Sequence, residues 1–426
     1  MSTRLSKGGR LINRSKPVEF SFDGKRLNGY EGDTLASALL ANNQTLVGRS
    51  FKYHRPRGIV ASGPEEPNAL VGLGKGDKFE PNQRATTTEL FDGLHSNSQN
   101  AWPSLEFDIG GVNRIMSRVF PAGFYYKTFI FPRFAWKHIF EPIIRKAAGL
   151  GAAPTEKDAD KYEYFYAHVD VLIIGGGTSG LAAALEVGRS GAKVLVLEQK
   201  NTWGGRAPVD GVFIDNQISE EWIDDAITEL QSMPNVTLKN RTMGAGVYDH
   251  GWATGYESIT DHMPGKKGPR QRLWRIRAKR ILTTTGAIER PLSFAGNDLP
   301  GVMLAGSVRD YLVDFGTSCG DIMVLATNND DAYRTAIKQS EVGLKVAAIL
   351  DARTSVTGEL PNKAREMGIR VETGMAISKV KGSKSVSGVS ICLQAGEGVP
   401  LEEIKCDVVA MSGGWSPIVH LWSHCG

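Results

Sequence analysis

The sequence predicts an α/β protein in which a small N-terminal unit precedes two strand–helix units with parallel sheets. From Asp170 onward, short apolar strands alternate with helices, a pattern typical of parallel sheets with helical crossovers. The alternation starts twice, at the strands 169–174 and 321–326. The first 30 residues predict a hairpin instead, so the N-terminal unit is of a different kind. A length of 426 residues is enough for two to four domains.

Residues 1–100 predict a β-grasp unit. Apolar residues alternate over 18–22, and an Asp23-Gly24 turn leads into a return strand. Asp33 is the expected N-cap of a helix whose leucines recur at Leu35, Leu39 and Leu40, the spacing that packs a helix on a sheet.

The segment 49–58 predicts an exposed basic loop, because it combines many charges with turn-forming residues. The first 60 residues hold eleven Lys and Arg against four Asp and Glu, although the whole chain has a net charge of only +4. The rest of the chain is therefore net acidic and carries no nucleic-acid-binding motif, which argues against a nucleic-acid partner. A partner protein or an anionic cofactor fits the loop better, and we expect His54 to be structural rather than a base.

Cysteine use excludes several classes of site. The four cysteines are Cys319, Cys392, Cys406 and Cys425, with no Cys-x-x-Cys pair, so we expect no metal site. Scattered thiols, the lack of an apolar signal segment and the lack of a run of about 18 apolar residues predict a cytoplasmic protein without a membrane span.

Residues 101–166 predict an aromatic-rich helical connector broken by prolines. Eleven aromatic residues lie between 102 and 140. An isolated chain that exposed so much apolar surface would be unusual, so we expect this segment to pack against another domain or subunit.

The strongest functional motif follows the strand 169–174. Gly175, Gly177 and Gly180 form a G-x-G-x-x-G turn that opens a helix, and Glu198 ends the next strand. In such a turn the glycines permit the tight bend, the close approach of a pyrophosphate and the packing of helix on strand, while the helix N-terminus attracts phosphates. An acid at the position of Glu198 accepts hydrogen bonds from a ribose and repels a 2′-phosphate, which favours NAD or FAD over NADP.

Two further segments are expected to border the same cofactor. The loop at Gly204-Gly205-Arg206 would bring backbone and a cation near the pyrophosphate, and a strand ending at Gly286 would close the site from the side.

The second strand–helix unit is expected to be degenerate. Its turn, 326–331, has no glycine and places Asp330 and Asp331 where a pyrophosphate would lie, and like charge opposes binding. We predict a first nucleotide domain over 167–315 plus 406–426 and a second domain over 316–405.

Several motifs resemble those of the alpha subunits of heterotetrameric sarcosine oxidases. The most specific are Phe51-Lys-Tyr-His-Arg-Pro-Arg-Gly58 and Gly63-Pro-Glu-Glu-Pro-Asn-Ala69, and the resemblance covers essentially the whole chain. It implies a β-grasp ferredoxin-like unit followed by two Rossmann-like dinucleotide-binding domains of the disulfide-reductase type. Some relatives carry cysteine ligands for a two-iron two-sulfur cluster in the first unit, but this chain has no cysteine before Cys319 and so lacks iron–sulfur ligands.

The resemblance also implies function. The complex would oxidise sarcosine to glycine with oxygen as acceptor and pass the one-carbon unit to tetrahydrofolate or release it as formaldehyde. This chain would hold NAD and contribute no catalytic residue, FAD and FMN would lie elsewhere in the complex, and the partners would be beta, gamma and delta subunits. The chain is expected to be a fragment that stops before a folate-binding region. The implied NAD contacts are Gly175, Gly177, Ser179, Gly180, Glu198, Gln199, Lys200, Arg206 and Gly244, and the loop and strand-end patterns add Gly205 and Gly286.

Two alternatives stay open at this point. One is an FAD-binding subunit of an opine or amino-acid dehydrogenase. The other is a scaffold subunit whose nucleotide site is empty.

Overall fold

The computed structural model describes residues 2–115, 123, 131–147 and 151–425. These residues divide into two compact units. The first unit comprises Met1–Asp158 with Arg290–Gly414, and the second comprises Ala159–Glu289 with Trp415–Gly426.

The N-terminal part of the first unit is a β-grasp fold, as predicted. The first strand pairs antiparallel with the second and parallel with the last, and a fully buried helix packs on this sheet. In spatial order the five strands are Lys25–Glu31, Asn13–Phe22, Leu94–Ser98, Leu70–Leu73 and Glu80–Arg84, and the helix is Leu35–Ala41.

The helix begins one residue later than predicted. Thr34 is the N-cap, and its hydroxyl and that of Ser37 each accept the other's backbone N–H. The carboxylate of Asp33 is instead paired with Arg4 at 2.7 Å and also accepts the Ser37 hydroxyl. Asp33 is therefore a buried anchor for the N-terminal segment rather than a cap.

The basic loop is a two-stranded hairpin of Gly48–Arg49 and Pro56–Arg57. Nδ1 of His54 lies 2.7 Å from Oδ2 of Asp108, and both side chains are largely buried, which supports a structural role for His54. Burial alone would raise the pKa of Asp298, but its ion pairs with Arg57 and Arg55 hold that pKa below the usual value. The charges of this loop are therefore largely engaged within the first unit.

The predicted connector is only partly described, because Phe120, Phe124, Tyr125, Tyr126 and Phe129 lie outside the described residues. Among those described, Phe131 is 82% exposed and Trp102 67%. Packing of this segment against a partner stays a prediction. The short helices of the first 150 residues are Gly76–Lys78, Ile109–Gly111, Val112–Ile115, Arg133–Ala135, Trp136–Phe140 and Glu141–Ala147.

A parallel five-stranded sheet completes the first unit. Its strands, in spatial order, are Val302–Leu304, Val408–Ser412, Ile322–Thr327, Lys345–Asp351 and Val371–Thr373. Its helices are Ala305–Phe315, Asp331–Glu341 and Glu359–Glu366, and an antiparallel sheet of Met375–Gly382, Val386–Leu393 and Glu402–Ile404 follows. This sheet extends beyond the predicted second domain, 316–405, at both ends, because it includes strands 302–304 and 408–412, which pair with each other.

The second unit is built on one six-stranded sheet. In spatial order its strands are Val236–Lys239, Val194–Leu197, Tyr162–Ile174, Gln271–Thr283, Trp252–Ser258 and Thr242–Tyr248. The first four strands are parallel and the last two antiparallel. Strand 162–174 begins seven residues earlier than the predicted strand 169–174, and these residues pair with strand 271–283.

The helices of the second unit are Thr178–Arg189, Ala207–Asp210 and Ser219–Ser232, with single turns at Asp249–Gly251 and Trp422–Cys425. Phe213–Ile214 pairs with Gln217–Ile218, and Ala287–Glu289 pairs with Trp415–Pro417. Among the described residues of the chain, no helix has both the length and the apolar character needed to cross a membrane.

Candidate functional site

The predicted glycine turn lies at the carboxyl end of the central strand of the second unit. Gly175 has a φ of +113°, which favours glycine, and its N–H donates to the carbonyl of Leu197 at 2.8 Å. A Cβ at Gly175 would overlap the carbonyl of Thr284, the residue that follows strand 271–283. The bend therefore needs glycine both for its backbone angle and for its packing.

Gly180 lies in the first turn of helix 178–189, directly over the bend. A Cβ there would overlap the carbonyl oxygen of Gly175. Glycine at this position lets the helix begin close against the strand, which is the packing role expected of the third glycine.

Gly177 is different, because no described neighbour and no backbone angle requires a glycine there. Its φ of −71° and ψ of −179° are open to any residue. A Cβ at Gly177 would meet only the Cα of Gly205, at 4.0 Å, so it would point into open space. This free volume lies at the N-terminus of the helix, where no side chain caps the first N–H groups. Those donors and the positive end of the helix dipole suit a phosphate.

Glu198 is held at the end of strand 194–197 with both carboxylate oxygens oriented. Oε2 accepts the N–H of Gly176 at 2.7 Å, and Oε1 accepts the N–H of Lys200 at 2.8 Å. The residue is 7% exposed, and each oxygen keeps acceptor capacity for a ribose hydroxyl. Gln199 and Lys200, the two residues that follow, are exposed.

The Gly204-Gly205-Arg206 loop lies against the glycine turn. The N–H of Gly204 donates to the carbonyl of Gly176 at 2.8 Å. Gly204 and Gly205 both have positive φ, +93° and +61°. The guanidinium of Arg206 lies 4.9 Å from the centre of the Trp415 ring and 3.3 Å from Asp210. Sequence reasoning missed Trp415 as a residue of this site.

The remaining predicted nucleotide contacts, Ser179, Gly244 and Gly286, lie in different environments. Ser179 is exposed in the first turn of the helix. A Cβ at Gly244 would meet Cγ2 of Ile174 at 2.5 Å, so glycine there serves packing behind the central strand. Gly286 is exposed, with a φ of +73°, and its carbonyl accepts the N–H of Ile418. Nucleotide contacts by all these residues stay predictions.

The second turn, in the first unit, is filled by its own ion pairs. The fully buried Arg309 lies 3.0 Å from the carboxylate of Asp331, and Arg353 lies 2.7 Å from both Asp330 and Asp351. Carboxylates therefore pair with both of these cations, and the absence of phosphate binding at this turn stays a prediction.

The β-grasp unit does not fit an iron–sulfur cluster. It has no cysteine, and its histidines are engaged: Nδ1 of His95 lies 2.7 Å from the Ser21 hydroxyl, and His54 is held by Asp108. Clusters of this type need thiolate or imidazole ligands. Across the described ranges, no group of three His, Cys, Asp or Glu side chains could hold a metal ion.

The buried cysteines are expected to resist alkylation in the native protein. Cys319, Cys392 and Cys406 are buried, and burial raises the pKa of Cys319 and of Cys406 to about 12. At pH 8 roughly one such thiol in ten thousand is the reactive thiolate. Peptide mass spectrometry after brief iodoacetamide treatment should find these two unmodified until the protein is denatured. Rapid native labelling of Cys319 would contradict the packing described here.

Two protein-family models match the chain. One, described as "2Fe-2S iron-sulfur cluster binding domain", matches residues 15–101, and the other, "FAD dependent oxidoreductase", matches residues 170–253. The first match agrees with the β-grasp fold, although the ligands are missing, and the second coincides with the glycine turn and Glu198.

Curated relatives match over the whole chain. The chain is 47% identical to "Sarcosine oxidase subunit alpha" of Rhizobium meliloti (strain 1021), covering 100% of this chain and 42% of the relative. It is 35% identical to the protein of the same name from Corynebacterium sp. (strain P-1), covering 97% and 39%. The chain thus spans about two fifths of the length of these relatives, and the resemblance inferred from its motifs is confirmed.

One solved structure shares the fold along the entire chain. L-proline dehydrogenase from P. horikoshii aligns with a TM-score of 0.63 at 20% identity, covering 100% of this chain and 64% of that protein. This similarity shows the fold alone and confirms the predicted α/β architecture.

Proposed function

The chain is related over its whole length to the N-terminal part of sarcosine oxidase alpha subunits, and on this premise we propose that it forms the NAD-binding part of such a subunit. The complete complex would oxidise sarcosine to glycine with oxygen as acceptor. The one-carbon unit would pass to tetrahydrofolate, bound in a further region of the alpha polypeptide, or leave as formaldehyde. We place the reacting centre, with FAD and FMN, outside the residues described here and assign no catalytic residue to this chain.

One observation carries the nucleotide proposal: neither the backbone conformation nor the described packing explains why residue 177 is a glycine. Its backbone angles suit any residue, and an added Cβ would meet no described protein atom closer than 4.0 Å. Such a position is explained if a ligand must approach the backbone closely, as a pyrophosphate does at the second glycine of this motif.

The surrounding residues have separate tasks in this proposal. The N–H groups at the start of helix 178–189 bind the pyrophosphate, with Ser179 at the exposed side. Glu198, held by the N–H groups of Gly176 and Lys200, accepts hydrogen bonds from the adenosine ribose. Its charge also disfavours a 2′-phosphate, so NAD is favoured over NADP.

Arg206 supplies positive charge beside the pyrophosphate. Its guanidinium is held between the Trp415 ring and Asp210. Because the Arg206 side chain is already ordered, it would lose little rotamer freedom when the nucleotide binds. When NAD is bound it can supply hydride chemistry. The residues described here bind and orient it, and we propose a structural role for the cofactor.

A second candidate is FAD in the same turn. The match of residues 170–253 to the family of FAD-dependent oxidoreductases favours it. The turn, the helix N-terminus and Glu198 would contact the adenosine and pyrophosphate groups that FAD and NAD share.

Replacing Gly177 by alanine is expected to lower nucleotide affinity at least about tenfold, because the methyl group would occupy the space that the pyrophosphate needs. The fold should be unchanged, since the backbone angles suit alanine. The measurement is the nucleotide released from purified, denatured protein, identified by mass spectrometry and quantified per chain.

Gly111→Ala is the matched control, because a Cβ at Gly111 also meets no atom within 4 Å but lies in the other unit. It should retain the nucleotide. Release of NAD by wild-type protein supports the proposal, whereas visible flavin absorption and release of FAD would establish the second candidate. A wild-type chain that releases no nucleotide would indicate a scaffold subunit.

A further inference from the structure

One face of the sheet in the second unit carries tyrosines where a solvent-facing sheet usually carries polar residues. Strand 162–174 pairs in register with strand 271–283, which pairs with strand 252–258. Side chains alternate between the two faces of a strand, so the residues on this side fall on one surface. We call it the tyrosine–arginine face, formed by Tyr164, Tyr166, Trp252, Tyr256, Arg275 and Arg277.

This face is open to solvent. Tyr164 and Tyr166 are each 62% exposed, and Tyr256 is 37% exposed. Tyrosine is the side chain most typical of interfaces when an apolar ring and a hydroxyl lie together at a surface.

The arginines of this face are held by aromatic rings rather than by carboxylates. The guanidinium carbon of Arg275 lies 5.3 Å from the centre of the Tyr164 ring and 5.5 Å from that of Tyr166, and its Nη1 donates to the Tyr166 hydroxyl at 2.6 Å. Arg277 lies 5.1 Å from the centre of the Trp252 ring and donates to the carbonyl of His250. Each guanidinium is thereby oriented by neutral groups.

The opposite face of the same strand has a different charge arrangement. Arg272 lies 2.9 Å from Glu163 and 3.2 Å from Glu257, and Glu257 also accepts the indole N–H of Trp274 at 2.7 Å. In the part of the chain that the structure describes, no ion pair involves Arg275 or Arg277. The arginines of the two faces therefore differ: carboxylates pair with Arg272, whereas aromatic rings, a hydroxyl and a carbonyl hold Arg275 and Arg277.

We propose that the tyrosine–arginine face is a docking surface for a partner subunit that presents carboxylates. The inference rests on the proposed function to the extent that an alpha subunit has other subunits to bind. Covering two guanidiniums with an apolar surface would leave buried charges unpaired, which is strongly unfavourable. A partner that covers this face must therefore bring acidic groups, and the rings around them supply the contact area that makes arginine and tyrosine frequent hot spots.

The test uses the whole alpha polypeptide and its own beta, gamma and delta subunits. Arg277→Glu is expected to weaken their association about tenfold or more, because a repulsive carboxylate replaces the attractive charge. Arg275→Glu should act in the same direction. The measurement is the dissociation constant from biolayer interferometry with immobilised alpha chain, at two salt concentrations, and the wild-type affinity should fall as salt rises.

Arg280→Glu is the matched control, since Arg280 is an exposed arginine of the same strand with no ring or carboxylate partner described. It should change the affinity by less than about twofold. Equal losses for Arg280→Glu and Arg277→Glu would overturn the proposal, because only the net charge would then matter. Binding of an oligonucleotide at this face, or dimerisation of the alpha chain that Arg277→Glu abolishes, would overturn it in favour of another occupant.

Nucleotide content separates this inference from the proposed function. If Arg277→Glu chains keep their NAD and fail to assemble, both statements stand. If wild-type chains hold no NAD but assembly still depends on Arg277, the docking surface stands and the nucleotide proposal fails. Unchanged assembly by both variants with NAD retained would refute the docking surface alone.

Discussion

Gly180→Ala is expected to destabilise the second unit by about 3 kcal/mol and to abolish nucleotide binding. The added methyl group would overlap the carbonyl oxygen of Gly175, a backbone atom that cannot rotate away. Overpacking of this kind forces backbone shifts that cost about 1–3 kcal/mol or more, here at the turn that forms the proposed site. The measurement is the opening free energy of helix 178–189 from hydrogen exchange, together with the nucleotide content.

Gly188→Ala in the same helix is the control. Its added methyl group would overlap side-chain atoms of Met233 at 2.7 Å and Val236 at 2.9 Å, which must shift, rather than backbone, and alanine gains about 1 kcal/mol of helix propensity over glycine. We expect a change in stability near zero and full nucleotide content. A Gly180→Ala protein as stable as Gly188→Ala would show that the helix does not lie as close to the turn as described.

Arg309→Met is expected to lower the stability of the first unit by about 3 kcal/mol, because it removes one partner of a largely buried ion pair. Arg309 is fully buried, and it donates both to the carboxylate of Asp331 and to the Asp331 carbonyl, at 2.9 Å. Methionine fills similar space without restoring these hydrogen bonds. Hydrogen exchange of helix 331–341 provides the measurement.

Arg334→Met tests the same carboxylate from the solvent side. Nε of Arg334 lies 3.5 Å from Asp331, and its side chain is 33% exposed. Exposed pairs contribute between about 0 and 1 kcal/mol, so this variant should lose less than a third of the stability lost by Arg309→Met. Similar losses for the two variants would mean that burial of Arg309 adds nothing to the pair.

The sequence predicted the glycine turn well because its requirements are local. Strand, turn, helix and acid follow one another within thirty residues, so spacing alone indicated how Gly175, Gly180 and Glu198 lie together. The hairpin of the β-grasp unit was likewise predicted from the alternation of apolar and polar residues and from a short turn. The missing glycines of the second strand–helix unit likewise led to the prediction that its turn binds no phosphate, and nothing in the structure tests that prediction.

Features that depend on distant residues could not be predicted in the same way. Asp33 satisfied the pattern of an N-cap, but Arg4 pairs with it, and Thr34 caps instead. The predicted start of the second domain, at residue 316, is too late. Strand 302–304 belongs to the sheet of that domain, but only its pairing with strand 408–412 shows this. Trp415 lies more than two hundred residues from Arg206, and no periodicity connects them.

Gly176 accounts for how this site is assembled before any ligand arrives. Its N–H donates to Glu198, and its carbonyl accepts the N–H of Gly204, so one residue joins the acid, the phosphate turn and the second glycine loop. The protein itself therefore holds the three segments together by hydrogen bonds, and a dinucleotide would bind to a site that is already arranged. Little conformational entropy would then be lost in ordering loops when the dinucleotide binds. This favours tight binding and slow release of the dinucleotide, as expected for a cofactor that remains with its subunit.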